Sequence, residues 1–310
     1  MEGKTLEILG TSLNAAATYA VPPLTLLRYG RILLGIDRAD PETGFRPERR
    51  DPAYVAFIMQ SLMPLINSYF RVEVEGVEHV PHRGGALVVG NHNSGLQPVD
   101  SFIAGHAIME HQGVTRPLFG LGHDYMFREP ALAALLEKIG IIRANPRAAD
   151  AAFEQDGVVV VYPGGDIDTF KPYTQRNTIQ FGNRKGFIRL ALRNRVPIVP
   201  AVSVGCHETW VVLTRGEQLA KLLGLKKRLR TEVFPIVLSL PWGITSGFLP
   251  FIPLPAKISL RFLEPISWDH ISADQADDPL VLEACYREVT DVMQAALTQM
   301  ASQRSFPVIG

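Results

Sequence analysis

The stretch Ala86-Leu-Val-Val-Gly-Asn-His-Asn-Ser-Gly-Leu-Gln-Pro-Val-Asp100 decides the fold. It opens on a short apolar run bounded by glycines, which reads as a strand buried on both faces, the kind found in parallel sheets covered by helices. Asn93-Ser94-Gly95 then supply a tight polar loop. His92 stands just past the C-terminal end of the strand, where ligands collect in α/β sheets. Asp100 follows eight positions later, near the start of a helix.

The same grammar runs outward from this segment. Residues 71–75 alternate polar and apolar at strand period, residues 157–162 and 196–203 are further apolar strands, and residues 258–262 are another. Between them, residues 131–139 carry helical spacing and end at Gly140, and residues 184–193 read as a helix. Residues 280–300 close the chain as an amphipathic helix with Val281, Cys285, Val289 and Val292 on one face. Strands alternating with helices predict an α/β class: a mixed, largely parallel sheet flanked by helices, with an N-terminal helical segment. Residues 1–70 form that membrane-proximal helical segment, and residues 71–310 form the α/β domain. Asp51-Pro52 signals a helix start, after which Tyr54, Ile58, Leu62, Leu65 and Tyr69 recur at helical spacing. Residues 40–51, with Arg46, Arg49 and Arg50, read as a solvated linker.

Composition narrows the partners. The 310 residues carry 31 basic and 31 acidic side chains, and this balance argues against a nucleic-acid binder. With 46% hydrophobic residues the chain can bury a large core, which excludes disorder. Two cysteines, Cys206 and Cys285, make neither a disulfide framework nor a zinc site, and they point to a reducing compartment. His106 and His111 have a spacing seen in some zinc sites but lack a cysteine pair. No cofactor or metal is therefore expected. Residues 8–27 carry no charge, but Asn14 and Pro22-Pro23 argue against a span, and Glu2 and Glu7 offset Lys4 in a secretory signal. An interfacial or packed helix is the better reading. Residues 233–256 are uncharged, with five prolines and the aromatic Trp242, Phe248 and Phe251. That many prolines exclude a plain spanning helix. They fit a lipid-facing flap or the wall of an acyl tunnel, and the basic run at 226–230 just before suits anionic headgroups or CoA phosphates. Membrane association on the cytoplasmic face is the resulting expectation.

Chemistry centres on His92, since an imidazole is the usual base for a hydroxyl proton and a carboxylate behind it fixes its tautomer. The same side chain could equally cap the following helix or satisfy a loop carbonyl. The chain has no Gly-x-Ser-x-Gly elbow, so direct attack by an acceptor hydroxyl is simpler than a serine nucleophile. Residues 158–171 repeat the pattern: a strand runs into Tyr162-Pro-Gly-Gly, whose glycine N–H groups near Gly164 and Gly165 can cradle an anion. Asp166 and Asp168 follow as candidates for binding an acceptor hydroxyl. Arg184, Lys185 and Arg189 crowd the start of a helix, where anions bind, and Arg143 stands at a strand end. Cys206-His207-Glu208 invites a thiol mechanism, although a buried structural cysteine is the commoner situation.

In this order the pieces resemble the lysophospholipid and glycerolipid acyltransferase family, of the glycerol-3-phosphate and lysophosphatidate acyltransferase type. The resemblance rests on Asn91-His92 with Asp100, on Gly140 to Arg143, on Tyr162-Pro-Gly-Gly and on Val196-Pro-Ile-Val-Pro200. It implies an O-acyltransferase in which His92, oriented by Asp100, lets a glycerolipid or lysophospholipid hydroxyl attack acyl-CoA or an acyl-carrier protein at a membrane surface. Asn91, Arg143, Gly164, Gly165, Asp168, Arg184 and Lys185 would then contact substrate. An acyl thioesterase or lipid hydrolase, and a non-catalytic lipid-binding module, are the alternatives. Seven residues separate His92 from Asp100 where the commonest family pattern has four. Gly164 and Ile167 replace the glutamate and arginine that hold a phosphorylated acceptor. Pro163-Gly-Gly with Asp168, and Arg184-Lys-Gly-Phe187, look more like the diacylglycerol-acyltransferase-like branch, whose acceptors are neutral.

Overall fold

In the computed structural model, residues 44–92, 98–225, 232–249 and 251–306 are described. The readings placed on residues 8–27 and on the basic run 226–230 lie outside them. Helix α1, Pro52–Phe70, starts where the sequence predicts: Asp51 Oδ1 accepts the N–H groups of Ala53 and Tyr54 at 3.0 and 3.1 Å. Strands β1 (Glu73–Glu75) and β2 (Ala86–Gly90) follow, then α2 (Val99–Gln112), β3 (Leu118–Gly122), α3 (Pro130–Lys138), β4 (Ile141–Arg143), α4 (Pro146–Phe153) and β5 (Val158–Val161). After β5 come the short α5 (Gly165–Thr169), α6 (Gly186–Asn194), β6 (Ile198–Val204), β7 (Val211–Thr214), α7 (Glu217–Leu222), β8 (Ile236–Ser239), β9 (Gly243–Ser246), β10 (Ser259–Phe262) and α8 (Pro279–Ser302).

Seven strands form one sheet in the order β1-β10-β6-β2-β5-β3-β4. Every neighbouring pair is parallel except β10 with β6, so the expected mixed, largely parallel sheet is present. β2 sits between β5 and β6, and its side chains alternate between two cores. Leu87 and Val89 join Ala148 of α4, Leu190 of α6 and Val289 of α8. Ala86 and Val88 join Val55 and Met63 of α1 and Ile103 of α2. Burial on both faces is why this strand reads as a continuous apolar run.

Two helical faces differ from expectation. On α1 the buried side chains are Tyr54, Val55, Met63 and Phe70, while Leu62, Leu65 and Tyr69 are exposed. On α8 the buried ridge is Leu282, Cys285, Val289, Met293, Leu297 and Met300, and Val292 faces out. In both cases the apolar stripe is wider than the face buried among the described residues. The linker reading also fails where residues are described. The Gly44 N–H donates to buried Glu137 at 2.7 Å, Arg49 pairs with the same carboxylate at 3.3 Å, and Arg50 donates to the Val114 carbonyl at 2.9 Å. The segment is therefore packed against the domain, although the Arg49 side chain itself stays 47% exposed.

Between β6 and β10 the chain builds a second, antiparallel sheet, β7-β8-β9. Its inner residues Val212 and Val237 pack on Trp210, Phe170 and Phe251. Its outer residues include Leu238 and Ile244, which face each other across the ladder and are 47% and 71% exposed. Part of the proline-rich stretch is therefore a strand pair, with Trp210 and Phe251 stacked at 4.8 Å beneath it. Among the described residues, no helix is long and apolar enough to cross a membrane.

Leu87→Ala lowers the unfolding free energy by about 2–5 kcal/mol in urea denaturation, whereas exposed Leu65→Ala changes it by no more than about 0.5 kcal/mol. Equal losses at the two positions would contradict the burial of β2 on both faces.

Candidate active site

Strands β2 and β5 are paired in parallel, so the segments after Gly90 and Val161 leave the same edge of the sheet. The ladder between β2 and β6 ends at Gly90 paired with Ala201, and side chains take over from there. Asn91 donates through Nδ2 to the Ser203 carbonyl at 2.9 Å and accepts the Ser203 N–H on Oδ1 at 2.8 Å. In effect it adds one amide rung to the β2–β6 ladder. Asn91 was expected to meet substrate, but it is 1% exposed and held by backbone.

His92 follows. Its Nδ1 lies 2.8 Å from Asp100 Oδ2, the imidazole being 20% exposed and the carboxylate 1%. A carboxylate at this position accepts the Nδ1–H, which puts the ring's lone pair on Nε2. Asp100 lies in the first turn of α2, and its Oδ1 accepts the Ser101 N–H at 2.7 Å. The loop between the two residues is longer than the common family pattern and lies outside the described residues, yet its ends bring imidazole and carboxylate into contact. Burial pulls the His92 pKa down, but the carboxylates of Asp100 and Asp168 outweigh burial and hold it above the ordinary histidine value.

Tyr162, at the end of β5, stacks on the His92 ring with centroids 4.6 Å apart and planes 30° from parallel. Gly90 makes the space, because a Cβ there would stand 2.5 Å from Tyr162 Cε1. Burial, with the Asp100 charge adding to it, raises the phenol well above its usual range, so it stays protonated. Tyr162 was not singled out from sequence as part of the site, because nothing in a strand-end tyrosine shows which ring it will cover.

The glycine turn differs from expectation. The Gly165 N–H donates to the Tyr162 carbonyl at 3.1 Å and closes the turn, so it is not available to an oxyanion. Gly165 has φ +48°, which suits glycine. Arg184 wraps the turn from outside, donating to the carbonyls of Pro163 and Gly164 at 3.3 and 2.9 Å and pairing with Asp166 at 2.8 Å. Asp168, expected to bind an acceptor hydroxyl, is fully buried. One oxygen accepts the His92 N–H at 2.7 Å and the other pairs with Lys171 at 2.7 Å. Lys185 pairs with Glu283 of α8 at 2.6 Å, which ties helix to helix. Arg143, at the end of edge strand β4, pairs with Asp124 at 2.9 Å and lies over Phe45 and Phe127. The structure therefore brings His92, Asp100, Asp168 and the Pro163–Gly165 turn together, and it engages Lys185 and Arg143 elsewhere.

Cys206 is fully buried, and burial together with Asp100 raises its thiol well above the usual value, so no thiolate forms. His207 Nε2 lies 3.0 Å from the Asp168 carbonyl, which can only accept. Burial and the Lys171 charge push the His207 pKa well below normal, which fixes a neutral ring that donates from Nε2. Cys206-His207 is thus structural. Among the described residues no group of three or more His, Cys, Asp or Glu could hold a metal ion.

Residues 71–204 match the family profile described as Acyltransferase. An uncharacterized protein of Mycobacterium tuberculosis is 32% identical over 255 residues, covering 82% of this chain and 68% of that protein. A Bos taurus protein named DGAT1/2-independent enzyme synthesizing storage lipids is 30% identical over 65% of this chain and 58% of its own length. A 1-acyl-sn-glycerol-3-phosphate acyltransferase of Limnanthes alba is 28% identical over 67% of this chain and 58% of its own. The crystal structure of the 1-acyl-sn-glycerophosphate acyltransferase of Thermotoga maritima aligns with TM-score 0.48 at 16% identity, covering 99% of this chain and 100% of that one.

An NMR titration of the His92 ring has its midpoint above that of an exposed histidine, and Asp100→Asn moves it to lower pH by removing the charge that favours imidazolium. A wild-type midpoint at or below the ordinary value would contradict the electrostatics described.

Proposed function

The chain belongs to the acyltransferase family and is an acyltransferase; we propose that it acts on lipid hydroxyls, that His92 is its general base and that the acyl donor is a thioester, acyl-CoA or acyl-carrier protein. His92 Nε2 takes the proton of the acceptor hydroxyl as its oxygen attacks the thioester carbonyl. The tetrahedral intermediate collapses with cleavage of the C–S bond. The leaving thiolate recovers a proton from the imidazolium, which Asp100 stabilises throughout. The observation that carries this reading is the 2.8 Å contact between His92 Nδ1 and a buried carboxylate at the sheet edge.

The acceptor we assign is a neutral lipid hydroxyl, such as that of a monoacylglycerol, a diacylglycerol or a long-chain alcohol. Gly164 and Ile167 stand where the commonest family pattern places the residues that hold a phosphate. Arg184, the nearby guanidinium, is already paired with Asp166. The storage-lipid name of the bovine relative fits this acceptor, and the name of the Limnanthes relative keeps a phosphorylated one as the second reading.

We also assign the outer face of β7-β8-β9 to a membrane surface. An antiparallel sheet with one free face normally turns polar residues outward. Here Leu238 and Ile244 are joined by exposed Leu213, Leu240, Trp242 and Ile252, and Tyr69 of α1 donates to the Pro253 carbonyl at 2.6 Å beside them. A patch of this kind marks an interaction site, and a lipid acceptor has to be taken from a bilayer.

Purified protein with labelled acyl-CoA and vesicles carrying monoacylglycerol, diacylglycerol, long-chain alcohol or lysophosphatidate acylates the neutral lipids. His92→Ala reduces turnover about 10²- to 10⁴-fold. Full turnover in that variant rejects the base, acylation of lysophosphatidate alone rejects the neutral acceptor, and fatty acid released without acylated lipid favours a hydrolase. In flotation with phosphatidylcholine–phosphatidylserine vesicles, Leu238→Ser/Ile244→Ser weakens binding about tenfold or more, since each buried aliphatic side chain contributes roughly 1.5–3 kcal/mol. Unchanged flotation removes this face from the membrane.

A further inference from the structure

We propose that Asp168 and Lys171 are positioning residues for His92, forming a buried ion pair whose carboxylate grips the histidine's main-chain N–H and so sets where the imidazole stands. This rests on the reading of His92 as the base and adds residues to which that reading gives no role.

Strand hydrogen bonding stops at Gly90, two residues before the imidazole. Beyond that point the main chain is held by Asn91 on the β6 side and by Asp168 on the β5 side. Asp168 Oδ2 accepts the His92 N–H at 2.7 Å, Oδ1 accepts Lys171 Nζ at 2.7 Å, and the Asp168 carbonyl accepts from neutral His207 at 3.0 Å. Lys171 Nζ donates again to the Thr178 carbonyl at 2.6 Å. Both side chains of the pair are 0% exposed. The network therefore joins the residue carrying the base to α5, which the glycine turn opens, and to the segment between α5 and α6.

Stability alone is a weak reason for such a pair, because apolar residues of similar volume often serve as well or better than a buried ion pair. What an ion pair adds here is an acceptor of fixed direction for one amide. Gly164 is part of the same device: a Cβ there would lie 2.3 Å from Asp168 Cβ and 2.5 Å from the Gln180 carbonyl. The residue that departs from the commonest family pattern is thus the one that lets Asp168 reach inward.

The test compares three full-length chains. Asp168→Ala/Lys171→Met removes acceptor and charges together and leaves no lone buried ion. Asp168→Asn/Lys171→Met returns one oxygen to the His92 N–H. The wild type is the reference. The readouts are the low-field Nδ1–H proton resonance of His92, assigned by its loss in His92→Gln, together with kcat and KM. The alanine double variant is expected to lose or shift that resonance and to fall about 10- to 100-fold in kcat, with KM for the donor within about threefold. The asparagine double variant should recover most of both. A folded alanine variant with unchanged resonance and kcat overturns the proposal, and so does an asparagine variant no better than alanine. If the alanine variant does not fold, Asp168→Glu decides, since it keeps the charge and lengthens the tether: reduced kcat at unchanged Tm supports the proposal, and wild-type turnover overturns it. Should the wild type transfer no acyl group, the acyltransfer reading fails by itself, and the resonance still decides the tether.

Discussion

Hydrogen bonding along β2 ends at Gly90, and the residue that matters lies beyond it. A backbone that leaves a parallel sheet loses its neighbours on both sides at once, so the amides that follow must find partners among side chains. Here they do so in sequence. Asn91 fastens to Ser203 of β6, the His92 N–H to Asp168 after β5, and the His92 ring to Asp100 of α2. Each tether comes from a different element, and the position of the imidazole depends on all of those elements being packed correctly.

The two-faced burial of β2 is what allows this. With Leu87 and Val89 in one core and Ala86 and Val88 in the other, the strand cannot slip by a residue without exchanging its two sets of side chains. A fixed register fixes Gly90, and Gly90 admits the Tyr162 ring that stacks on His92. The electrostatics follow from the same packing. Two carboxylates buried near one imidazole outweigh its desolvation and favour its charged form, the form that appears when a hydroxyl proton is taken. Farther along, Phe170, two residues after Asp168, lies 5.8 Å from Trp210 and 6.1 Å from Phe248 under the small sheet. The turn beside the base and the apolar outer surface are thereby parts of one packed unit.

Much of this was legible along the chain. The strands at 86–89, 158–161, 198–203 and 259–262 announce themselves as apolar runs, and the start of α1 is written in Asp51-Pro52. His92 and Asp100 could be paired from their place after a strand and from the family resemblance. Roles that depend on the far side of a contact were misread. Asp168 looks from its neighbours like an exposed turn carboxylate, and only Lys171, three residues on, hints at a buried pair. Lys185 and Arg143 belong to basic clusters in the sequence, yet their partners Glu283 and Asp124 come from elsewhere in the chain. On α8, Val292 and Met293 are equally apolar neighbours, and the sheet selects Met293.

Local sequence determined which segments are strands and helices, that the sheet is largely parallel and buried, and which histidine stands at its edge, because periodicity, glycine placement and capping act over a few residues. Only the tertiary structure decided which carboxylate holds the histidine's backbone and which cations are already paired. Those outcomes depend on distances between groups far apart in the chain, 76 positions for His92 and Asp168, and no local pattern encodes them.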